Sequence, residues 1–512
     1  MQGFGDENFE GESGLEIQKA ANAELDDDGK PSRTGNLWTA SAHIITAIIG
    51  SGVLSLAWGV AQLGWIAGVA TLVIFSAITL YTSSLLADCY RSPLTGKRNY
   101  TYKDVVKNNL GSMNYYYTVT FIYYFGDFFE IVILFVCLKI ISGQTMYVAC
   151  AMVQYANLCG MVVGYTITAS ISMAAIQKSD CFHRRGHENS CSVSHNPYMI
   201  GMGILEIFLS QIPNFHKLSM LSVVAAIMSF AYSSIGVGLA LAKVISGQGE
   251  RTTLTGVEVG IGLSAAEKTW RMFRAFGDIA FAYTYSQILV EIQDTLKATP
   301  PENQVMKKAN IVAVSTTTAF YMMCGCFGYA AFGNNAPGNL LTGFGFYEPF
   351  WLVDLANACI VLHLVGAYQV FAQPVFSAVE LRANKKWPKS NFITREYKIG
   401  IGKNRNKFTS VNLMRLIWRS SFVILATLFA LILPFFNDIL AFLGAMGYWP
   451  LTVYFPIEMY IAKNKIKKWS RRWLGLQLIN SVCLLVAVAA GCGSIQGLNK
   501  ALKTYKPFQV KE

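Results

Sequence analysis

Charged residues are scarce in this chain. Only 14% of its 512 residues are Asp, Glu, Lys or Arg, whereas 53% are hydrophobic. Soluble globular domains carry about 25% charged residues, so a soluble or disordered chain of this size is excluded. The 14 prolines and 43 glycines follow no collagen-like repeat, and 11 cysteines are too few for a disulfide-rich scaffold.

The motifs of common enzyme classes are missing as well. The sequence contains no HExxH, no GxSxG, no Walker loop and no CxxC pair. The Cys324-Gly325-Cys326 triplet has the wrong spacing for a usual zinc site, and it falls inside an apolar segment. We therefore expect no enzyme activity, no metal site and no organic cofactor.

Long apolar segments are what the chain has instead. Each of them is long enough to cross a hydrocarbon core of ~30 Å. They predict an all-α polytopic membrane protein with about 11 transmembrane helices. The net charge of +12 is therefore attributed to basic residues in the loops and is not taken as a sign of nucleic acid binding. The predicted spans lie near 37–61, 64–87, 146–176, 197–215, 218–245, 270–293, 309–333, 350–379, 413–433, 437–460 and 473–496.

The distribution of Lys and Arg predicts the orientation. With a cytosolic N-terminus, the cytosolic segments hold 27 Lys and Arg residues and the outer segments hold nine. Basic residues concentrate in the cytosolic loops of membrane proteins. We therefore expect a disordered acidic cytosolic tail over residues 1–36, a transmembrane domain over 37–496 and an extracellular C-terminal tail over 497–512.

Residues 114–145 form an atypical apolar block between the second and third spans. Ten of these 32 residues are Tyr or Phe, and none is Ala or Pro. If the block crossed the membrane once, every later loop would change sides and the most basic loops would face outward, against the positive-inside rule. The block is therefore expected to be an extra apolar helix or hairpin rather than a normal span.

Seven stretches carry a resemblance to a known family. They read GSGVLSLAWGVAQLGW at 50–65, LLADCYR at 85–91 with TGKRNYTY at 95–102, YVACAMVQYANLCGMVVGYTITASISM at 147–173, CFHRRGHENSC at 181–191, GDIAFAYTYSQILVEIQDT at 277–295 and CGCFGYAAFGNNAPGNLLTGFGFYEPFWLVD at 324–354. The chain resembles the plant amino acid permeases of the amino acid/auxin permease family over about residues 33–505, apart from the block at 114–145.

The resemblance implies a fold and a function. The fold is that of the leucine transporter, with two inverted five-helix repeats and one peripheral helix. The function is proton-coupled uptake of amino acids at the plasma membrane, with the amino acid, the proton and the bilayer as the only partners implied. An auxin or lysine/histidine carrier of the same superfamily and a non-transporting amino acid sensor stay open as alternatives.

Inverted-repeat transporters bind their substrates where two corresponding helices are broken. Gly50-Ser51-Gly52 interrupts the first span, and Gly277-Asp278 suggests a similar break in the sixth. An unwound helix offers free N–H groups to a carboxylate, although a Gly-x-Gly sequence also permits close helix packing. The predicted substrate-binding residues are Ile49, Gly50, Ser51, Gly52, Val53, Phe281, Ala282 and Tyr283.

Three ionisable residues inside predicted spans are candidates for proton coupling. His43 and His363 lie in the first and eighth spans, and Asp278 lies at the expected break of the sixth. Ionisable groups in a bilayer are costly and commonly functional, and histidine titrates near neutral pH. A neutral histidine bonded to a neighbouring helix would be the alternative.

In the outer loop, Cys181 and Cys191 are expected to form a disulfide.

Deleting residues 114–145 is expected to leave uptake intact. The family pattern closes across the block, from Gly111-Ser112 to Met146-Tyr147, and the block's composition is that of a translated, AT-rich retained intron. Sequencing the mature transcripts and measuring amino acid uptake by the deletion variant would test this hypothesis. Transcripts that all contain the block, together with a deletion variant that has lost uptake, would instead show that the block has a function.

Overall fold

A computed structural model defines the fold. It describes residues 25–29, 32–111, 146–185, 191–212, 219–260, 263–344, 349–400, 408–433 and 435–504. The atypical block at 114–145, the first 24 residues and the last eight lie outside the described residues, so the expectations for them remain predictions.

The described residues form a helical protein with one short hairpin. The strands are β1 (Glu396–Gly400) and β2 (Phe408–Asn412), which pair antiparallel. The helices are α1 (Leu37–Ile48), α2 (Gly52–Cys89), α3 (Tyr102–Leu110), α4 (Met146–Arg185), α5 (Asn196–Leu209), α6 (Ser219–Ile245), α7 (Ala265–Ala282), α8 (Leu289–Gln293), α9 (Glu302–Phe332), α10 (Phe350–Lys386), α11 (Asn391–Thr394), α12 (Leu413–Ile432), α13 (Phe436–Gly447), α14 (Phe455–Lys463) and α15 (Arg471–Thr504).

Helices coincide with all eleven predicted spans. Eight stretches in the described part of the chain are long and apolar enough to cross a membrane, and α1 and α5 are shorter apolar helices. The first span consists of α1 and the beginning of α2, and the sixth consists of α7 and α8. In the tenth, a π-helical turn over Tyr448–Tyr454 joins α13 to α14. The chain is thus an all-α polytopic membrane protein.

The first span is broken where the glycine-rich sequence predicted. Asn36 caps the start of α1 by accepting hydrogen bonds from the backbone N–H groups of Trp38 and Thr39. The helix ends at Ile48, and α2 begins at Gly52. Further along α2, Gly64 adopts φ 78°, which separates the remainder of the first span from the second. An added Cβ there would lie 2.2 Å from the backbone nitrogen of Gly256, so only glycine fits.

The sixth span is broken at a different place from the one predicted. Gly277 and Asp278 lie inside α7, which continues to Ala282, and the helical path is interrupted at Tyr283–Tyr285. The expectation of a break at Gly277-Asp278 is therefore wrong. Gly277 serves helix packing instead, because an added Cβ would lie 2.5 Å from the carbonyl oxygen of Ala441 in α13.

Two glycines allow α7 and α13 to approach backbone to backbone. An added Cβ at Gly444 would lie 2.0 Å from the carbonyl oxygen of Gly277 and 2.6 Å from the backbone nitrogen of Phe281. Close interior packing leaves no room for an extra methyl group at such a contact. The sixth and tenth spans can therefore touch only because both positions lack a side chain.

The regions beside the atypical block and at the end of α4 also have defined contacts. The ammonium of Lys107, near the end of α3, lies 5.7 Å from the ring centroid of Tyr147 at the start of α4. The described residues on the two sides of the block are therefore neighbours in space. Cys181 and Cys191 form a disulfide with a Cα–Cα distance of 6.1 Å.

Part of the predicted disordered tail contacts the helical domain. Asp26, Asp27 and Asp28 form ion pairs with Arg33, Arg91 and Arg98. Composition indicated a free chain here because acidic residues predominate, but composition does not show that Arg91 and Arg98, in the loop between α2 and α3, lie opposite the acidic residues.

Replacing Gly444 with Ala is expected to prevent correct packing of α7 against α13. The added methyl would force the two backbones apart, and overpacking of this kind costs about 1–3 kcal/mol. Thermal denaturation of the purified protein, followed by size-exclusion chromatography, would measure the loss. Gly201→Ala is the matched control, because no atom lies within 4 Å of the Cβ that it adds. Equal melting temperatures for both variants would contradict this account of the helix contact.

Candidate functional site

The breaks of the first and sixth spans meet in the interior. An added Cβ at Gly52 would lie 3.0 Å from Cα of Ala282 and 3.2 Å from Cδ1 of Phe281. Ser51, Phe281 and Ala282 are at most 5% exposed, and Tyr283 is fully buried. The residues predicted from two distant parts of the sequence thus form one cluster.

Free backbone donors mark the start of α2. Among the described residues, no acceptor is found for the backbone N–H groups of Ser51 and Val53, and the Ser51 hydroxyl also has no partner. N–H groups in the first turn of a helix carry the positive end of its dipole. This end of α2 is therefore suited to a carboxylate.

Hydroxyl groups from α6 hold the unwound carbonyl groups of the first span. The Ser229 hydroxyl lies 2.9 Å from the carbonyl oxygen of Ile49. The Tyr232 hydroxyl lies 3.1 Å from that oxygen and 3.0 Å from the carbonyl oxygen of Gly50. The Ile49 oxygen thus has two hydroxyl groups within hydrogen-bond distance, whereas the Gly50 oxygen has one. The second lone pair of the Gly50 oxygen is therefore able to accept a further donor such as an ammonium group.

Tyr321 of α9 connects the two broken helices directly. Its hydroxyl contacts the carbonyl oxygen of Ile48 at the end of α1 and lies 3.0 Å from the carbonyl oxygen of Ala282 at the end of α7. Its ring packs edge-to-face on Tyr283, with 5.3 Å between the centroids. One fully buried side chain therefore fixes the relative position of both breaks.

His363 of α10 lies beside the break of the first span. Its Nδ1 is 3.0 Å from the carbonyl oxygen of Ala225 and 2.8 Å from the Ser229 hydroxyl. A carbonyl oxygen can only accept, so the proton of the neutral ring lies on Nδ1 and Nε2 carries the lone pair. Nε2 is buried without a partner in the described structure and lies 3.7 Å from the position of an added Cβ on Gly50.

The other two proton-coupling candidates lie away from the breaks. His43 is buried in α1, seven residues before Gly50, which is about 10 Å along a helix. Asp278 is fully buried in α7, and neither carboxylate oxygen has a hydrogen-bond partner among the described residues. One turn earlier in α7, Arg274 forms an ion pair with Asp438 at 2.6 Å.

Sequence reasoning missed the hydroxyl side chains that hold the site. Ser229 and Tyr232 are three residues apart in α6, a spacing that places both on one helix face. A tyrosine buried in a membrane helix needs a partner for its hydroxyl, so Tyr232 and Tyr321 could have been suspected. Their partners could not have been identified from sequence, since α6, α9 and the two broken spans come together only in the folded protein.

Comparison with known proteins gives consistent results. The profile of the family described as "Transmembrane amino acid transporter protein" matches residues 33–498. Amino acid permease 8 of Arabidopsis thaliana is 56% identical over 502 residues, covering 97% of this chain and 98% of the relative. Amino acid permease 6 of the same plant is 56% identical over 494 residues, covering 96% of this chain and 95% of the relative.

A solved structure shows the fold class. MhsT, crystallised in complex with L-phenylalanine, is similar with a TM-score of 0.54 at 10% sequence identity, and the match covers 90% of this chain and 99% of MhsT. At this identity the likeness concerns the fold alone.

The family match and the permease relatives define a polytopic membrane transporter rather than an enzyme. The chain belongs to the transmembrane amino acid transporter family, as its profile match and its plant permease relatives show.

Replacing Gly52 with Val is expected to abolish transport while leaving membrane insertion intact. The branched side chain would collide with Ala282 and Phe281 and would cover the free donors at the start of α2. Transport by Gly52→Val and by wild type should be compared at equal surface amount, with Gly238→Val as a control in a helix where nothing lies within 4 Å of the added Cβ. Normal transport by the Gly52 variant would show that the break in the first span does not lie on the substrate path.

Proposed function

We propose that this protein is a proton-coupled amino acid symporter that imports amino acids across the plasma membrane by alternating access. The observation that carries the proposal is the contact between the two broken spans, with free N–H groups at Ser51 and Val53 beside carbonyl groups at Ile49 and Gly50. The names of the plant relatives support amino acids as the substrate class.

The two ends of the break suit the two charged groups that every amino acid shares. The donors at the start of α2 would bind the substrate carboxylate, and the second lone pair of the Gly50 carbonyl oxygen would bind its ammonium group. Phe281, Ala282 and Tyr283 would then contact the substrate side chain. Because backbone groups recognise the shared part, side-chain contacts decide which amino acids are accepted.

His363 is the strongest of the three proton-coupling candidates. The lone pair on its Nε2 lies close to Gly50, so a proton taken up there would place a positive charge beside the carbonyl groups of the break. Substrate binding and protonation would thereby affect each other's free energy, which is the requirement for coupling. His43 and Asp278 are retained as further groups on the proton path.

The proposed cycle uses the proton gradient across the plasma membrane. With the N-terminus cytosolic and the C-terminus outside, one proton moving inward releases ~2.3 kcal/mol per 100 mV, equivalent to roughly fifty-fold accumulation. The remaining helices would move around the first and sixth spans to expose the site to each side in turn.

Expression in a transport-deficient host should produce uptake of labelled neutral or charged amino acids that depends on an inward proton gradient. Uptake should rise as the outside pH falls, and a protonophore should abolish accumulation. Unchanged accumulation after collapse of the gradient would refute proton coupling. Saturable uptake of auxin alone, or of lysine and histidine alone, would favour the related carriers, and binding without uptake would favour a sensor.

Replacing His363 or His43 with Ala is expected to change the pH dependence of uptake more than the choice of substrate. The reason is that each substitution removes a titratable group from a helix at or near the site. Uptake should be measured between pH 5 and pH 8 with at least two amino acids. His195→Ala, at an exposed histidine just before α5, is the control. If both variants kept the wild-type pH profile, the two histidines would be packing residues only.

A further inference from the structure

The chain between the end of α14 and the start of α15 concentrates positive charge. Six of the twelve residues at 461–472 are Lys or Arg, and none is Asp or Glu. Lys465, Lys467, Arg471 and Arg472 are exposed, and none of the ion pairs among the described residues involves them. This segment therefore presents four uncompensated positive charges to its surroundings.

The backbone of the same segment is strained at an exposed tryptophan. Lys465 has φ 49° and Trp469 has φ 67°, and in the described part of the chain they are the only residues other than glycine with positive φ. Glycine adopts this left-handed conformation freely, whereas a bulky side chain makes it costly. Trp469 is nevertheless 76% exposed. A large side chain held in the open at such a cost indicates a partner that lies outside the described chain.

The tryptophan also lies at the end of an exposed apolar helix face. Leu474, Leu478 and Leu485 are exposed and recur at the spacing of one face of α15. In a helix that spans a membrane, such a face contacts lipid chains. Trp469 precedes this face, and its ring centroid lies 5.3 Å from that of Trp473 in the first turn of α15. Both indoles therefore lie near the level at which the span leaves the hydrocarbon core.

This combination of side chains suits one class of partner. Indole rings favour the headgroup level of a bilayer, and Lys and Arg near the surface are attracted to anionic lipids. An arginine guanidinium can also bind a phosphate group through two hydrogen bonds. An acidic protein would match the charge but would give no reason for an exposed indole beside lipid-facing leucines. The observations therefore favour an anionic lipid.

We propose that Lys465, Lys467, Trp469, Arg471 and Arg472 form a binding site for the headgroup of an anionic phospholipid. The four basic side chains would bind the phosphate and any further negative group, and the indole would pack against the lipid where its acyl chains begin. The proposed orientation places the segment on the cytosolic side, where anionic lipids are found. The inference goes beyond amino acid transport, because it gives the protein a second class of ligand.

Enrichment of anionic lipid beside this site can be measured by fluorescence quenching. Leu478→Cys carries a bimane label on the exposed face of α15, in nanodiscs that contain either brominated phosphatidylserine or the same fraction of brominated phosphatidylcholine. Brominated phosphatidylserine should quench about threefold more, because the positive charges raise its local concentration, and the excess should shrink at high salt. A labelled chain without the added cysteine corrects for the native cysteines.

Charge variants distinguish a site from a general excess of positive charge. Replacing all four basic residues of the site with Gln should remove the excess quenching by phosphatidylserine. The matched control replaces four exposed basic residues of the loop between α10 and α12 with Gln and should leave the excess unchanged; they are Lys385, Lys386, Lys389 and Arg395. A label at Ile432→Cys, exposed at the far end of α12, should show no preference between the two lipids.

Trp469→Gly tests the indole separately. Glycine fits the left-handed backbone, so this variant should melt in detergent at no lower temperature than wild type. It should nevertheless lose about half of the excess quenching, because the indole no longer holds the lipid beside the four charges. A residue that served only the folding of the loop would give the reverse result, with a lower melting temperature and unchanged quenching.

The outcomes are distinct. Excess quenching that is lost when the charges of this site are removed, and kept in the control charge variant, supports the site. Equal quenching by both lipids in the wild-type chain, or an equal loss in the control variant, overturns it. Full excess quenching in Trp469→Gly overturns the part assigned to the indole. No step measures amino acid uptake, so the lipid site and the proposed transport function can fail separately.

Discussion

The need to satisfy unwound backbone inside a membrane protein governs this structure. Away from water, a carbonyl group without a donor costs several kcal/mol, so helix breaks persist only where the protein supplies partners. Here Ser229, Tyr232 and Tyr321 supply them to both breaks. The hydroxyls stabilise the unwound segments without occupying every lone pair or every N–H group, and the remaining groups can therefore bind a ligand.

Glycine has two different uses in this protein. Gly50 and Gly52 lie where the helical path is interrupted, and side chains there would meet Tyr165 or the sixth span. Gly277 and Gly444 lie within regular helices, where they let two backbones touch. Breaking and packing both follow from the missing Cβ. Local sequence therefore cannot tell them apart, because the difference depends on which helix lies opposite.

Charge at the edges of the helical domain links the site to its surroundings. The ion pair of Arg33 with Asp294 connects the start of the first span to the end of the sixth, whereas the pair of Arg274 and Asp438 connects the sixth span to the tenth. Both ion pairs involve a broken span, but they lie on opposite sides of the breaks.

The sequence by itself determined the membrane class and the eleven spans, because hydropathy is a local property. It marked Gly50-Ser51-Gly52 as a candidate break and Cys181 and Cys191 as a candidate pair, but the fold decided that these glycines interrupt a helix and that the two cysteines meet. Tertiary structure alone decided where the sixth span breaks. Residues 283–285 contain neither glycine nor proline, and the unwound chain is held there by Tyr321 of another helix. It also decided the partners of Asp26–Asp28, since an acidic run shows its own charge but not the arginines that the fold places against it.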